Sequence, residues 1–374
     1  MLEQQVLTGL FMALYGGVAA LNMAACCYLL LRRGNAFAAD ITPPARLRRW
    51  TAAFFCSMAL SHVWYLPMYI LPGSPAAKLS YLLGGLLDGL TVLPLAIAVL
   101  IVMLQDRRRP LWPVGVAVAP LAVAGALCVA SRNVVFLPFI YAYFLLMCVS
   151  IIIYMVCALK QYGRWLRDNY ADLEHKEVWQ SVVVLSVMLL SFVIYIFEIG
   201  GQAYEYVMQA IDVVVICYYL WRTETLSELS TSAFEAKEEP AATEGEESND
   251  RSLSIRNNIG PLLKQCCEQQ QLYLQNGISL SELARQIGVN RVYLSKHFAT
   301  QGTTYNAYIN GLRIDHFIRL YREAIAGHQS TTVQQLAYKC GFRSYGTFNT
   351  AFKQSMGMTA TERMRKQGET GAAD

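Results

Sequence analysis

Charge is scarce in this chain: Asp, Glu, Lys and Arg make up only 16% of its 374 residues, against roughly 25% in a typical soluble domain. With 55% apolar residues, that shortage excludes a wholly water-soluble or disordered chain and points part of it into lipid. Also missing is the basic stretch that opens a cleavable leader. Only Glu3 lies near the start of the first apolar run, which is longer than a leader's apolar segment, so the run is expected to stay in the mature protein. Cysteine is not scarce, but metal-ligand spacing is. Of ten Cys, seven lie in apolar runs and Cys266, Cys267 and Cys340 in a basic block, so reduced packing residues and no metal are expected. No paired carboxylates, nucleophile-base arrangement, kinase core or phosphoryl-acceptor domain is recognisable, and the Asp88 stretch Gly84-Gly85-Leu86-Leu87-Asp88-Gly89 does not by itself make an aspartyl protease. Neither an enzyme activity nor a cofactor is expected.

What is present falls into three blocks. Residues 1–223 carry a net charge of +4, 224–250 one of −8 and 251–374 one of +8. In the first block, apolar runs at 6–31, 50–71, 79–104, 111–130, 134–159, 178–199 and 204–221 each approach the roughly 20 residues that span a hydrocarbon core. They predict a seven-helix transmembrane bundle. With the N-terminus outside, twelve basic residues fall in inner loops, among them Arg46, Arg48, Arg107, Lys160, Arg164 and Lys176, and only Lys78 and Arg132 in outer ones. Lys and Arg accumulate on the cytoplasmic side, so everything after Trp221 is expected in the cytoplasm. The fourth run, broken by Pro113 and Pro120, and the seventh, carrying Glu205, Gln209 and Asp212, fit a span least well.

The outer loops are too short to fold a ligand domain, so a stimulus must be read within the bundle, at its rim or through a partner. Ionisable groups inside a span are expensive and mark functional sites. Counting along the runs puts His62, Asp88 and Asp212 near mid-depth and Glu198 near an outer end. These three are the candidate membrane sensor, set against the plainer reading of a polar cluster that fixes packing. Gly84, Gly85 and Gly89 around Asp88 are expected to permit close helix approach.

Residues 224–250 hold nine acidic groups and little that could form a core, the composition of a disordered tether. Such a chain reaches about 30 Å. Its charge could also compete with a polyanion for the basic block.

That basic block, 251–374, repeats itself. Leu280, Leu283, Ala284 and Ile287 mark one helix face, Ser279 with Glu282 a capped start, Gly288 a break, Asn290 the next cap, and Leu294 and Phe298 a second inward stripe. Some 53 to 54 residues on, Val333, Leu336, Ala337 and Cys340, Thr332 with Gln335, Gly341, Ser344, and Phe348 with Phe352 repeat the pattern. Between the copies, 306–326 predicts one long helix with apolar Ile309, Leu312, Phe317 and Leu320. Two small helical pairs with a basic surface suit helix-turn-helix readers of the major groove.

Around the second turn the sequence Gly341-Phe342-Arg343-Ser344-Tyr345-Gly346-Thr347-Phe348-Asn349-Thr350-Ala351-Phe352-Lys353, followed by Gly357 and a basic run at Arg363, Arg365 and Lys366, resembles the arabinose-regulator (AraC/XylS) family of transcription factors. The resemblance covers about residues 255–367. Two positions depart from it: Ala360 stands where the family usually has Pro, and Gly346 offers no side chain at an early position of the reading helix. The resemblance implies a DNA-binding domain of two helix-turn-helix motifs joined by a long helix. It makes Arg291, Val292, Ser295 and Lys296 in the first motif, and Tyr345, Asn349 and Thr350 in the second, the base-facing residues. Arg and Lys suit guanine, Asn adenine, and a Val or Thr methyl the thymine methyl. Arg343, Lys353, Arg363, Arg365 and Lys366 are placed as phosphate contacts.

The expected architecture is therefore all-α: a seven-helix transmembrane sensor or anchor over 1–223, an acidic disordered linker over 224–250, and a cytoplasmic DNA-binding domain over 251–374. The expected protein is a one-component transcriptional regulator in the bacterial inner membrane. Its expected partners are double-stranded DNA, the lipid bilayer, an unnamed small-molecule ligand or membrane partner, and RNA polymerase; oligomerisation stays open. Two rivals stand beside this reading, a transporter with an attached regulator and an anchor freed by proteolysis.

Overall fold

The computed structural model describes residues 2–32, 35, 43–131, 135–173, 176–180, 183–184, 186–187, 189–190, 201–229, 259–327 and 331–364, with backbone only for 2–7 and 201–203. Among the described residues every named element is helical, and β-structure is limited to an isolated antiparallel bridge between Tyr170 and Ser279. Two compact units result: residues 1–162 with 178–228, and residues 163–177 with 229–374.

The first unit contains α1 (Leu2–Leu31), α2 (Ala45–Trp64), α3 (Leu66–Ile70), α4 (Pro75–Leu90), α5 (Val92–Met103), α6 (Trp112–Ser131), most of α7 (Leu137–Asn169), and α8 (Gly201–Thr225). Proline explains where the apolar runs break. Pro67 and Pro94 would each press their ring on the carbonyl four residues back. The second run accordingly divides at Tyr65 into α2 and α3, and the third at Thr91 into α4 and α5. At the second break Thr91 Oγ1 donates to the Leu87 carbonyl at 2.8 Å and accepts from Ser57 Oγ at 2.9 Å, which ties the junction to α2. Pro120, expected to interrupt the fourth run, lies inside an unbroken α6.

Among the described residues, five helical stretches are long and apolar enough to cross a membrane: Thr8–Leu31, Ala45–Ile70, Pro75–Met103, Trp112–Ser131 and Leu137–Asn169. They coincide with the first five runs. The sixth, 178–199, lies largely outside the described residues, and the seventh corresponds to α8, which is helical but more polar. Large apolar side chains such as Leu30, Val116, Val123, Leu146 and Ile153 stay exposed on these helices, an outer surface suited to lipid rather than water. α8 also runs past the expected start of the tether. Glu224 is fully buried, with Oε1 3.6 Å from Arg48 Nε, and Thr223 Oγ1 lies 3.1 Å from Thr51 Oγ1. The rest of the expected linker, 230–250, lies outside the described residues.

In the second unit, α9 (Leu280–Gln286) and α10 (Arg291–Thr300) form one pair, α12 (Val333–Lys339) and α13 (Tyr345–Met356) another, and α11 (Tyr305–Ala326) joins them. The pairs keep separate cores. Leu280, Leu283, Ala284, Leu294 and Phe298 pack with Tyr305 and Ile309, while Leu336, Ala337, Cys340, Phe348 and Phe352 pack with Ile314 and Phe317. One long helix therefore supplies a wall to both cores.

Each tight turn depends on a glycine in the left-handed region, Gly288 at φ +72° and Gly341 at φ +83°. They differ in their surroundings. A Cβ on Gly288 would meet nothing within 4 Å, whereas one on Gly341 would sit 2.5 Å from the Leu274 carbonyl oxygen. Gly288→Ala is expected to cost roughly 1–2 kcal/mol through conformation alone. Gly341→Ala adds overpacking of about 1–3 kcal/mol. Thermal unfolding of the two variants should place Gly341→Ala clearly lower.

Candidate nucleic-acid interface

Both helix pairs are set by their caps. Ser279 Oγ accepts from the Glu282 amide at 3.2 Å, Asn290 Oδ1 from the Val292 amide at 2.8 Å, and Ser344 Oγ from the Thr347 amide at 3.2 Å. Thr332 and Gln335 complete a reciprocal capping box. The Glu282 carboxylate instead binds Arg285 and Gln286, so the first cap is one-sided. These caps fix where α10 and α13 begin, and their first turns are the parts of such helices that enter a groove.

With Leu294 and Phe298 inward, α10 exposes Val292 and Lys296, and leaves Arg291 and Ser295 half-buried. On α13 Thr350 is exposed, with its hydroxyl turned back to the Gly346 carbonyl at 3.0 Å. Asn349 is half-buried, and its Oδ1 is shielded from solvent without a hydrogen-bond partner among the described residues. Tyr345 is less available than expected. Its ring stacks on Phe348 at 5.9 Å and packs against the second core. Arg343 and Lys353 are exposed and Arg363 is half-buried; Arg365 and Lys366 lie outside the described residues.

One residue that sequence reasoning passed over ties the two pairs together. Arg313, in the middle of α11, is 1% exposed. Its Nε donates to the Tyr273 carbonyl at 2.7 Å, one terminal nitrogen donates to the Gln275 carbonyl at 2.8 Å, and the guanidinium lies 5.5 Å from the centre of the Phe342 ring. Burial lowers its pKa, but arginine stays charged in proteins. It therefore needs those carbonyls. Tyr273 belongs to the first core and Phe342 to the second, so Arg313 bridges both. A signal was available: Asn306, Asn310 and Arg313 fall at i, i+4 and i+7 on one face of an otherwise amphipathic helix. Burial also pushes the Cys267 and Cys340 thiols up to about 12, which keeps them protonated and unreactive.

In the first unit, His62 Nε2 lies 3.2 Å from Gln209 Oε1 and 3.9 Å from Asp212 Oδ2, and its Nδ1 is 2.8 Å from the Met58 carbonyl. Asp88 is not in direct contact with this pair. Its carboxylate accepts from Ser61 Oγ at 3.2 Å and from Trp64 Nε1 at 3.1 Å, and it lines a cavity of about 160 Å³ with Tyr65, Tyr81, Leu121, Tyr141 and Phe144. Of the neighbouring glycines, Gly84 is the one that matters for space, because a Cβ there would lie 2.5 Å from the Tyr65 ring. Glu198 lies outside the described residues. Among the described residues there is no cluster of three or more His, Cys, Asp or Glu able to hold a metal ion.

The comparisons with known proteins fall on the second unit. Residues 283–366 match the family model described as a helix-turn-helix domain. This segment is similar to the AraC-type helix-turn-helix domain. The TCP pilus virulence regulatory protein of Vibrio cholerae serotype O1, in the Classical Ogawa 395 and El Tor Inaba N16961 strains, is 28% identical over 82 residues, 22% of this chain and 28% of that protein. The chain thus spans little more than a quarter of the length of the curated relatives it matches. No solved structure matches it. A helix-turn-helix domain supports DNA binding by this segment.

Arg313→Lys keeps the charge of the AraC-type domain but loses the planar fork and the ring contact. It should destabilise the domain by about 1–3 kcal/mol, the cost of a buried acceptor left unmatched. Thermal unfolding measures this, and DNA selection by the variant should show looser spacing between the two halves of its site.

Proposed function

We propose that this protein is a membrane-embedded, one-component transcription regulator: the first unit lies in the bilayer and reads a signal there, and the AraC-type domain binds specific DNA on the cytoplasmic side. One observation carries the placement. Residues 163–177, which begin with the last turns of the fifth apolar helix, pack as part of the same compact unit as the helix-turn-helix pairs. They hold Arg164, Arg167 and Lys176, on the basic and therefore inner side of the charge asymmetry. Whatever folds with them shares that side. Five spans before this segment put the N-terminus outside, and a pair of crossings between 178 and 225 would return the chain to the cytoplasm. Reporter fusions after residues 75, 108, 170 and 225 are expected to read out, in, in and in; an external signal at 225 removes the mechanism.

On the DNA, α10 and α13 serve as the reading helices, with Arg291, Val292, Ser295 and Lys296 on the first and Asn349 and Thr350 on the second toward base edges. Tyr345, packed on Phe348, borders this surface. Arg343, Lys353 and Arg363, with Arg365 and Lys366 beyond them, meet phosphates. Lys296→Ala should lose discrimination at one half of the site, about 1–3 kcal/mol at the contacted position. Lys353→Ala should weaken all sequences alike and lower the salt slope by about 1. Selection from a random duplex pool and titration at several salt concentrations separate the two effects; equal loss of specificity in both variants would defeat the assignment.

The cavity beside Asp88 is the place we assign to the stimulus. Its apolar and tyrosine walls and its one carboxylate suit a compact, largely apolar molecule with a donor or positive group at one end. Asp88→Asn should change the cellular response to the stimulus and leave the DNA affinity of the cytoplasmic unit unaltered. Normal signalling by that variant would reduce Asp88 to a packing contact.

A further inference from the structure

The DNA-binding unit contains a segment that is not part of any helix-turn-helix motif. Ala171 is fully buried in the first core, with Ile278, Leu280, Tyr305 and Ile309. Its carbonyl oxygen accepts from Asn306 Nδ2 at 2.7 Å and from Asn310 Nδ2 at 3.2 Å, and the Tyr170 carbonyl accepts from Asn306 Nδ2 at 3.1 Å. Tyr170 also forms the antiparallel bridge with Ser279, the N-cap of α9. Asp172 and Lys176 are buried, and the Lys176 ammonium lies 5.3 Å from the centre of the Tyr170 ring. Beside these contacts, Asn169 Oδ1 accepts a hydrogen bond from the Arg291 guanidinium. Arg291 is the first residue of α10, and this burial lowers its pKa.

We propose that residues 169–172 form an intramolecular strap that competes with DNA for the first reading helix, docked on a surface made by Ser279, Arg291, Asn306 and Asn310. The proposal rests on the assignment of Arg291 to the DNA-facing side and names the regulation of that site. The hydrogen bond from Arg291 to the strap ends on a neutral amide oxygen, that of Asn169. A phosphate, or the paired O6 and N7 acceptors of guanine, offers the guanidinium a stronger partner, so DNA can displace Asn169. The latch is therefore reversible.

The strap also has a mechanical connection. Asn169 is the last residue of α7, a single helix of 33 residues that begins at Leu137 within the apolar part of the chain. The strap is thereby joined to the apolar part of the chain through one continuous helix. Asn306 and Asn310 hold backbone carbonyls of the strap, and the buried Tyr170, Ala171 and Asp172 add side-chain packing beside them.

The test uses the full chain in lipid nanodiscs and a 30-base-pair duplex selected by that chain from a random pool. Asn169→Ala removes the contact to Arg291 and leaves the docked backbone in place. It should tighten binding about 3- to 10-fold, the range of one hydrogen bond released from competition. A disulfide between Ala171→Cys and Asn310→Cys, located by mass spectrometry, should lock the strap and weaken binding until reductant restores it. In the unmodified chain, hydrogen exchange at 163–177 should rise when the duplex is added. Unchanged or weaker binding by Asn169→Ala, or a formed crosslink without effect on affinity, overturns the strap while leaving the DNA-binding assignment standing. If no form of the chain binds DNA, the assignment of Arg291 falls and the strap with it.

Discussion

A charge taken out of water has to be answered by polar groups already in place, and this chain does that repeatedly. The clearest case is Arg313. Its guanidinium lies where solvent does not reach, between the two cores of the DNA-binding unit, and two backbone carbonyls and an aromatic face are arranged around it. A buried arginine without those partners would be strongly unfavourable. The position of Tyr273 relative to Phe342 is therefore not free, and neither is the placement of one helix pair relative to the other. A hydrophobic contact at the same point would hold the cores together but would tolerate sliding; a forked donor does not.

The same constraint shapes the apolar half. Glu224 meets Arg48, Arg109 meets Asp106 through both carboxylate oxygens, and Asp88 collects donors from Ser61 and Trp64. The first and last of these join two helices, and the Arg109–Asp106 pair closes the turn after α5. In the membrane setting proposed above, where helices have no hydrophobic drive toward one another, such polar contacts and close packing would carry their association. The Gly84 position, where the Tyr65 ring takes the space of a side chain, shows the packing side of that requirement beside the polar one at Asp88.

Much of this was legible in the sequence. Both helix pairs, their caps at Ser279, Asn290, Thr332 and Ser344, the glycine breaks and the inward stripes of Leu294, Phe298, Phe348 and Phe352 follow from local spacing, since a helix buries residues three and four apart whatever surrounds it. The first five apolar runs likewise appear as helices. Less was legible where a side chain's fate depends on a distant neighbour. Tyr345 reads as an outward residue by helix counting, yet Phe348 and the core draw its ring inward. Pro120 reads as a break, yet α6 continues through it. Glu224 reads as the start of a tether, yet it is buried beside Arg48.

The sequence by itself determined the all-helical character, the apolar first half and the repeated helix-turn-helix pattern, because these rest on periodicity and on interactions a few residues long. The tertiary structure alone decided which polar groups meet: Arg313 with carbonyls some 40 positions away, His62 with Gln209 rather than Asp88, and the loop carbonyls of Tyr170 and Ala171 with Asn306 and Asn310. A carbonyl has no sequence signature, since every residue carries one. Only the packed chain shows which of them lies within reach of a donor.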